Sequence, residues 1–213
     1  MSVGRRRIGR LERNLRLVSL LPALSACAHL PGPPRALAEC PGTLRSTDEI
    51  VGDFRLQQRV RIRSGEREIA LRLAAEKRGR RLVVVGLNAF GAVVFQSVQT
   101  GGALTVDALP APALEVPPVN VLRDLHRVHF LAAQAPPAAA GTVQAVRDGV
   151  RITEVWSGAG LERRRFERVT EGPSQVVTVV FASGPGGAPT ATLVNQGCGY
   201  TATFVTIDQE SLP

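Results

Sequence analysis

The chain has 213 residues, 44% of them hydrophobic and 21% charged, a composition typical of a globular protein with one sizeable core. Six of its 26 basic residues and one of its 18 acidic residues lie within residues 1–26. The remaining 20 basic and 17 acidic residues give a net charge of +3, against +8 for the whole chain. That small excess argues against nucleic acid as a partner. After residue 26 no apolar stretch is long enough for a transmembrane helix.

The first 27 residues have the pattern of an exported lipoprotein. An arginine-rich start precedes an apolar run over residues 17–26, and the run ends in Leu24-Ser25-Ala26-Cys27. A basic segment, a short apolar segment and small residues before the cleavage point are typical of a secretory signal. Leu-Ser-Ala-Cys in that position looks like a bacterial lipobox. We therefore expect residues 1–26 to be a signal peptide and Cys27 to carry acyl chains such as palmitate; an ordinary signal with a chance cysteine is the alternative.

Residues 27–46 are rich in proline and predict a stalk between this anchor and a single folded domain over residues 47–213. If Cys27 carries lipid, Cys40 and Cys198 remain as an even pair. In an oxidising periplasm we predict that they form a disulfide, with two unpaired thiols as the alternative.

From residue 53 onwards apolar and polar residues alternate, as in strands with one buried face. Phe54, Leu56, Val60 and Ile62 lie on one face of the first strand, and mainly arginines lie on the other. We interpret the arginine row as a solvated surface, since an antiparallel strand commonly has one face in water. A turn at Ser64-Gly65 leads to a second strand over residues 69–73.

Further apolar runs predict an antiparallel sheet. They cover residues 82–87, 92–98, 104–106, 143–147, 150–156, 176–181, 190–194 and 200–207, with a weaker segment around Phe166. The turns Asn88-Ala89-Phe90-Gly91 and Asp148-Gly149 predict hairpins. Since each connection is too short for a parallel crossover, we expect nine or ten antiparallel strands, and a sheet of that size tends to curl.

One helix is predicted, from Asn120 as its cap to about Ala132. Its apolar stripe contains Val121, Leu125 and Val128, whereas Arg123, Asp124 and Arg127 point towards the other side. A helix this short needs a surface to pack on, so we expect it to cover the sheet. The predicted fold is mainly β (α+β): an unclosed half-barrel with a helical lid.

The order of these features resembles a family of Gram-negative lipoproteins encoded in aryl-polyene clusters. The features are the lipobox, the Asn88–Gly91 turn, the helix around Val121-Leu122-Arg123-Asp124-Leu125 and the late run Leu193-Val194-Asn195-Gln196-Gly197-Cys198-Gly199-Tyr200. That family is similar in turn to the outer-membrane lipoprotein receptor LolB and its periplasmic carrier LolA. The resemblance implies a LolB-like half-barrel whose apolar face shields acyl chains.

A curled apolar sheet under a helix also suits a lipid carrier, because each buried methylene group of a guest contributes about 0.8 kcal/mol. The candidate ligand-lining residues are Leu71, Leu73, Val93, Phe95, Leu122, Leu125, Phe181 and Phe204. We expect an outer-membrane lipoprotein, anchored at the periplasmic face, that binds or transfers a lipid, a lipoprotein acyl chain or a polyene-lipid. A periplasmic carrier protein is a further expected partner. The alternative is a structural or assembly lipoprotein whose core is filled and holds no ligand.

Enzyme functions are not favoured by the sequence, and no catalytic residue, cofactor or metal site is predicted. His126 and His129 are close enough along a helix to share a metal, but no third ligand is indicated. Cys198 between two glycines would suit a nucleophile, but no base is identifiable. An exported hydrolase using Cys198 is therefore kept as a third possibility only.

Overall fold

The computed structural model describes residues 37–108, 116–133, 135–169 and 175–213. The predicted signal peptide, Cys27 and the first ten residues of the predicted stalk lie outside them. Among the described residues, no helix is both long and apolar enough to cross a membrane.

A single antiparallel sheet contains every strand of the described residues. The strands are β1 Asp53–Ser64, β2 Arg67–Arg78, β3 Arg81–Leu87, β4 Val93–Thr100, β5 Ala103–Ala108, β6 Gly141–Arg147, β7 Val150–Ser157, β8 Gly160–Arg168, β9 Val176–Ser183, β10 Pro189–Asn195 and β11 Tyr200–Leu212. The predicted number of nine or ten is too low because the weak segment around Phe166 forms a full strand, β8. Its arginine-rich sequence hides the apolar alternation that marks the other strands.

The strand order is β5-β4-β3-β2-β1-β11-β10-β9-β8-β7-β6. Two meanders therefore run outwards from a central pair, β1 and β11, and end at the edge strands β5 and β6. The sheet is not closed into a barrel, because β5 and β6 do not pair. The predicted mainly β, unclosed half-barrel with one helix is confirmed.

The tight turns follow the sequence signals that predicted them. In the β6–β7 turn, Asp148 and Gly149 have φ angles of 50° and 73°. Both angles are left-handed, as the favoured two-residue hairpin turn requires. The β3–β4 turn is held by the Asn88 side chain, whose Oδ1 accepts hydrogen bonds from the backbone N–H groups of Phe90 and Ala92 at 3.0 Å each.

The helix α1, Pro118–His129, lies between the two edge strands in the chain. It begins two residues earlier than predicted, and Pro117 is its N-cap without a side-chain hydrogen bond. Asn120 is therefore not the cap: its Oδ1 accepts a hydrogen bond from the Cys40 N–H at 2.8 Å, and its Nδ2 donates one to the Ala38 carbonyl. The helix ends at His129 and not at Ala132.

The core lies between α1 and one face of the sheet. Alternate residues of β1 to β3 point to this inner face, for example Leu56, Val60, Leu73 and Val84, each at most 3% exposed. From α1, Val121, Leu122, Leu125 and Val128 complete the same cluster. The predicted apolar stripe of the helix therefore does pack on the sheet.

The segment before β1 is attached to the folded body throughout its described part: Leu37 packs against the core, and Glu39 pairs with Arg123 at 2.9 Å. Cys40 is 1% exposed and forms a disulfide with Cys198, whose Cα lies 6.1 Å from that of Cys40. The Pro41 carbonyl accepts a hydrogen bond from Arg127 of α1. The described part of the predicted stalk, residues 37–46, thus packs on the domain, and its backbone polar groups form hydrogen bonds with side chains of the helix.

Replacing both cysteines of this disulfide, Cys40→Ala with Cys198→Ala, should lower the free energy of unfolding by about 2–5 kcal/mol. The bond closes a loop of 158 residues in sequence separation, so its loss enlarges the unfolded ensemble considerably. Urea unfolding followed by the fluorescence of Trp156 measures the change. Cys27→Ala is the matched control, and equal unfolding midpoints for the control and the double variant would contradict the expectation.

Candidate functional site

Six of the eight predicted ligand-lining residues lie in the closed core. Leu71, Leu73, Phe95, Leu122, Leu125 and Phe204 are each at most 6% exposed. Phe181 is partly buried and packs against that core. Val93 is 41% exposed at the start of β4, so it does not line the interior. The structure thus brings most of these residues together as side chains that contact one another, not as the wall of an open cavity.

A cleft does open where α1 ends. It has a volume of about 450 Å³, and we call it the helix-end cleft. Its lining residues are Arg45, Glu49, Ile50, Val51, Gly52, Asp53, Phe54, Leu56, His129, Phe130, Ala132, Gln209, Ser211 and Leu212. They come from the helix end, the start of β1, the end of β11 and the turn before β1. Since the turn before β1 leads directly into that strand, the chain assembles the cleft from three segments that are far apart in sequence.

The walls of the helix-end cleft are mixed in character. The rings of Phe54 and Phe130 lie 5.5 Å apart between centroids and form an aromatic wall. Leu56, 3% exposed, connects the cleft to the core. On the polar side Arg45 pairs with Glu49 at 3.3 Å, and Arg45 also donates a hydrogen bond to the Phe130 carbonyl at 2.7 Å. An apolar wall with a charged rim suits an amphiphilic molecule.

A buried ion pair holds the C-terminal end of α1 on the sheet. Arg164 of β8 donates from Nη1 to the carbonyls of Arg127 and Val128 at 2.7 and 3.0 Å. Its Nε donates to Glu154 of β7 at 2.6 Å, and Glu154 is fully buried. Burial lowers the pKa of Arg164, while Glu154 opposes that shift. The guanidinium therefore satisfies two helix carbonyls at the negative end of the helix dipole.

A second buried network attaches the middle of α1. Asp124 accepts hydrogen bonds from Arg127 at 2.8 Å and from the Tyr200 hydroxyl at 2.6 Å. Asp124 is 1% exposed, and burial raises its pKa. Burial and the neighbouring Asp124 also raise the pKa of Tyr200. The prediction that Asp124 and Arg127 lie on the solvent side of the helix is wrong, because each charge has a buried partner.

The two helix histidines have separate hydrogen-bond partners. The Nδ1 of His126 accepts from the Arg45 N–H at 3.0 Å, and burial, with Arg45, lowers the pKa of His126 to about 3. The Nε2 of His129 lies 3.0 Å from the amide nitrogen of Gln58, and burial lowers its pKa to about 4. Both rings are therefore neutral at pH 7. Among the described residues, no group of three or more potential ligands could hold a metal ion.

Sequence reasoning missed the buried pair Glu154–Arg164, although the alternation contained a signal. Glu154 stands two residues after the buried Ile152, and Arg164 stands two before the buried Phe166. Residues two apart in a strand share a face. The alternation alone therefore predicts that the side chains of Glu154 and Arg164 point inwards. The helix-end cleft gave no such signal, because its residues are far apart in sequence.

These observations define a class of protein: an open antiparallel half-barrel with one helix across its inner face and a ligand-sized cleft at the end of that helix. A family model described as a protein of unknown function, DUF3261, matches residues 55–208. The chain belongs to this family. The match extends from β1 to β11 and includes α1. A search of the curated proteins finds no match.

Acidification should destabilise the fold through the two histidines. Their folded pKa values of about 3 and about 4 lie below the ordinary 6.5, so between these values and 6.5 the unfolded chain binds more protons. Stability therefore rises with pH in this window and falls on acidification, by up to about 1.4 kcal/mol per pH unit for each histidine. Asp124, whose pKa is raised, acts in the opposite direction.

The effect is measured by urea unfolding at pH 7 and pH 5, followed by Trp156 fluorescence. In His129→Gln the stability loss between the two pH values should be smaller, since one titrating ring is gone while an amide replaces its hydrogen-bonding group. His29→Gln, outside the described residues, is the matched control. Identical pH dependence in both variants would contradict the assignment.

Proposed function

We propose that the protein is a lipid-anchored envelope protein that binds an acyl chain, a lipid or a polyene-lipid in the helix-end cleft. The observation that carries this proposal is the cleft itself. Its volume of about 450 Å³ lies within the range of small-molecule sites, roughly 300–1,000 Å³. One wall is aromatic and aliphatic, and the rim is charged, so the chain of an amphiphile would lie against Phe54 and Phe130 with its polar end at the rim.

The cleft also offers a route to the core. Leu56 lines the cleft and belongs to the same buried cluster as Leu71, Leu73 and Phe204. A longer guest would reach these predicted lining residues only if α1 moved away from the sheet. In this proposal the Arg164–Glu154 pair and the Asp124–Tyr200 hydrogen bond hold the lid closed, and binding of a long chain replaces the core contacts that the lid loses.

The proposed location is the periplasmic face of the outer membrane, with the lipid on Cys27. The lipobox supports the anchor, and Ala28 in place of an aspartate after the cysteine is compatible with sorting to the outer membrane. Relationship to the aryl-polyene lipoproteins and to LolA and LolB belongs to the same proposal. A periplasmic carrier that delivers or receives the ligand is its expected protein partner.

A second candidate is a structural or assembly lipoprotein without a ligand. It is favoured by the filled core and by the number of buried charges that attach α1, since such a network makes displacement of the helix costly. The two candidates differ in one respect that can be measured, which is whether the helix-end cleft takes up an amphiphile.

Ala132→Trp should abolish uptake of a fluorescent polyene fatty acid. Ala132 lines the cleft and is part-exposed, so an indole ring there fills the cavity without entering the core. Ala139→Trp, on an exposed loop, adds the same indole elsewhere and should bind like the wild type. The measurement is fluorescence titration with native mass spectrometry. Equal uptake by both variants would reject the cleft as the site, and no uptake by the wild type would favour the ligand-free candidate.

Metabolic labelling with a radioactive fatty acid tests the anchor separately. The wild type should incorporate label and fractionate with the outer membrane, whereas Cys27→Ser should incorporate none. Cys40→Ser is the matched control: it removes a cysteine that lies only 13 positions later but leaves the lipobox intact. Equal labelling of the wild type and Cys27→Ser would remove the anchor from the proposal.

A further inference from the structure

The arginine row of β1 lies on the outer face of the sheet, opposite α1, and it contains two kinds of arginine. Arg55 pairs with Glu76 at 3.1 Å, and Arg63 pairs with Glu68 at 2.7 Å. Arg59 has no carboxylate partner among the described residues. Arg59 is exposed, as predicted for a solvated face, but unlike Arg55 and Arg63 its charge is not neutralised by a neighbouring carboxylate in the described part of the chain.

Arg59 stands directly opposite Arg72 of β2 in the register of the two strands. On their outer sides, Arg59 is opposite Val205 of β11, and Arg72 is opposite Leu87 of β3. This row across four strands thus contains two guanidinium groups and no carboxylate. Like charges directly opposite each other destabilise a sheet. A bound anion between them would remove that repulsion.

A third arginine lies next to this pair. Arg61 is two residues along β1 and is 3.8 Å from Glu68, which the closer Arg63 already occupies. Arg59, Arg61 and Arg72, which we call the outer arginine site, line a groove of about 390 Å³. Its other wall is the β3–β4 turn, which the Asn88 side chain holds in place.

Two apolar features adjoin the outer arginine site. Phe90, at the tip of the β3–β4 turn, lines the same groove and is 96% exposed. A second groove of about 410 Å³ is lined partly by Ala74, Val83 and Val85. Ala74 is two residues from Arg72 on the same face of β2, so this groove, which we call the apolar groove, adjoins the outer arginine site. Its polar parts are lined by Arg55, Glu76, Arg78 and Arg81. Free phosphate would use only the arginines, whereas a lipid would use all of these surfaces.

From this arrangement we propose that the outer face binds the headgroup of an anionic membrane phospholipid. Arg59 and Arg72 hold its phosphate, because guanidinium groups match phosphate oxygens with paired hydrogen bonds. The apolar groove over Ala74, Val83 and Val85 takes part of its chain. This site shares no residue with the helix-end cleft and lies on the opposite face of the sheet, so it goes beyond the proposed function.

Arginine footprinting tests the site on the full chain. The protein is held in nonionic detergent micelles, with or without phosphatidylglycerol, and treated with an arginine-specific dicarbonyl reagent. Peptide mass spectrometry then gives the modification rate of each arginine. Phosphatidylglycerol should slow modification of Arg59 and Arg72 several-fold, while Arg151, an exposed arginine of β7, serves as the internal reference. Unchanged rates for Arg59 and Arg72 overturn the proposal.

Two further arms separate the sources of the phosphate. Phosphatidylcholine, which carries no net charge, should protect much less than phosphatidylglycerol. Inorganic phosphate at the same phosphate concentration should also protect much less, because it cannot use the apolar groove or Phe90. Equal protection by inorganic phosphate would overturn the lipid assignment in favour of a free-anion site.

The variants test the pair directly. Arg59→Gln with Arg72→Gln should retain several-fold less phosphatidylglycerol after detergent exchange than the wild type, as counted by mass spectrometry. The matched control is Arg63→Gln with Arg165→Gln, which removes two carboxylate-paired arginines that line neither groove and should retain the wild-type amount. Equal retention by both double variants overturns the proposal. Ala132→Trp should leave this retention unchanged, so failure at one site is distinguishable from failure at the other.

Discussion

The charges buried beneath α1 are the constraint on which this fold depends. The helix joins the two edge strands of an open sheet, so its route crosses the inner face, and it places Asp124 and Arg127 where water is excluded. An ion in such a place is tolerable only with a partner of good geometry. Tyr200 of the last strand is such a partner for Asp124, and the Pro41 carbonyl is one for Arg127. At the helix end, Arg164, paired with Glu154, donates hydrogen bonds to the backbone carbonyls of Arg127 and Val128. The position of the helix along the sheet is thereby specified by polar contacts as well as by apolar packing.

The same contacts bear on ligand binding. Apolar contacts are non-directional, so they specify the position of a helix on a sheet only loosely. Buried hydrogen bonds to charged groups specify it more closely, because they have definite partners and distances. A guest that reached the core would displace α1 from the sheet. It would then have to replace the apolar contacts of the helix, and the separated polar groups would need water or new partners. The helix-end cleft avoids this difficulty, because it lies beyond the last helix carbonyls that Arg164 holds. A short chain could bind there with the network intact.

Much of the fold could be predicted from the sequence, because alternation and turn residues act locally. The hairpin at Asp148-Gly149 and the apolar stripe of α1 follow from such patterns. The strand β8 was underestimated because its inner face carries Arg164, a charge whose partner is on another strand. The outward assignment of Asp124 failed for the same reason. Sequence patterns assign a charged residue to the surface by default. Its buried partner lies on another element and is identified only in the three-dimensional structure.

The candidate site was less predictable than the fold. The sequence placed Leu73, Phe95 and Phe204 together on an apolar face, but it could not distinguish a cavity from a filled core, since both need the same residues. The cleft depends on where the helix stops, and helix ends are the least certain part of a pattern. The outer arginine site depends on strand register, which sets Arg59 against Arg72 and not against Glu68 or Glu76.

The central pairing of β1 with β11 has a consequence for how the chain reaches its final state. These strands contain the first and last strand residues of the domain, and Arg61 faces Thr203 across them. Until the 13 residues of β11 are available, β1 has one neighbour and an open edge. Contacts this distant in sequence form slowly. Assembly of the central pair therefore waits for β11, and a chain that is still being synthesised keeps this edge of β1 unpaired until β11 has emerged.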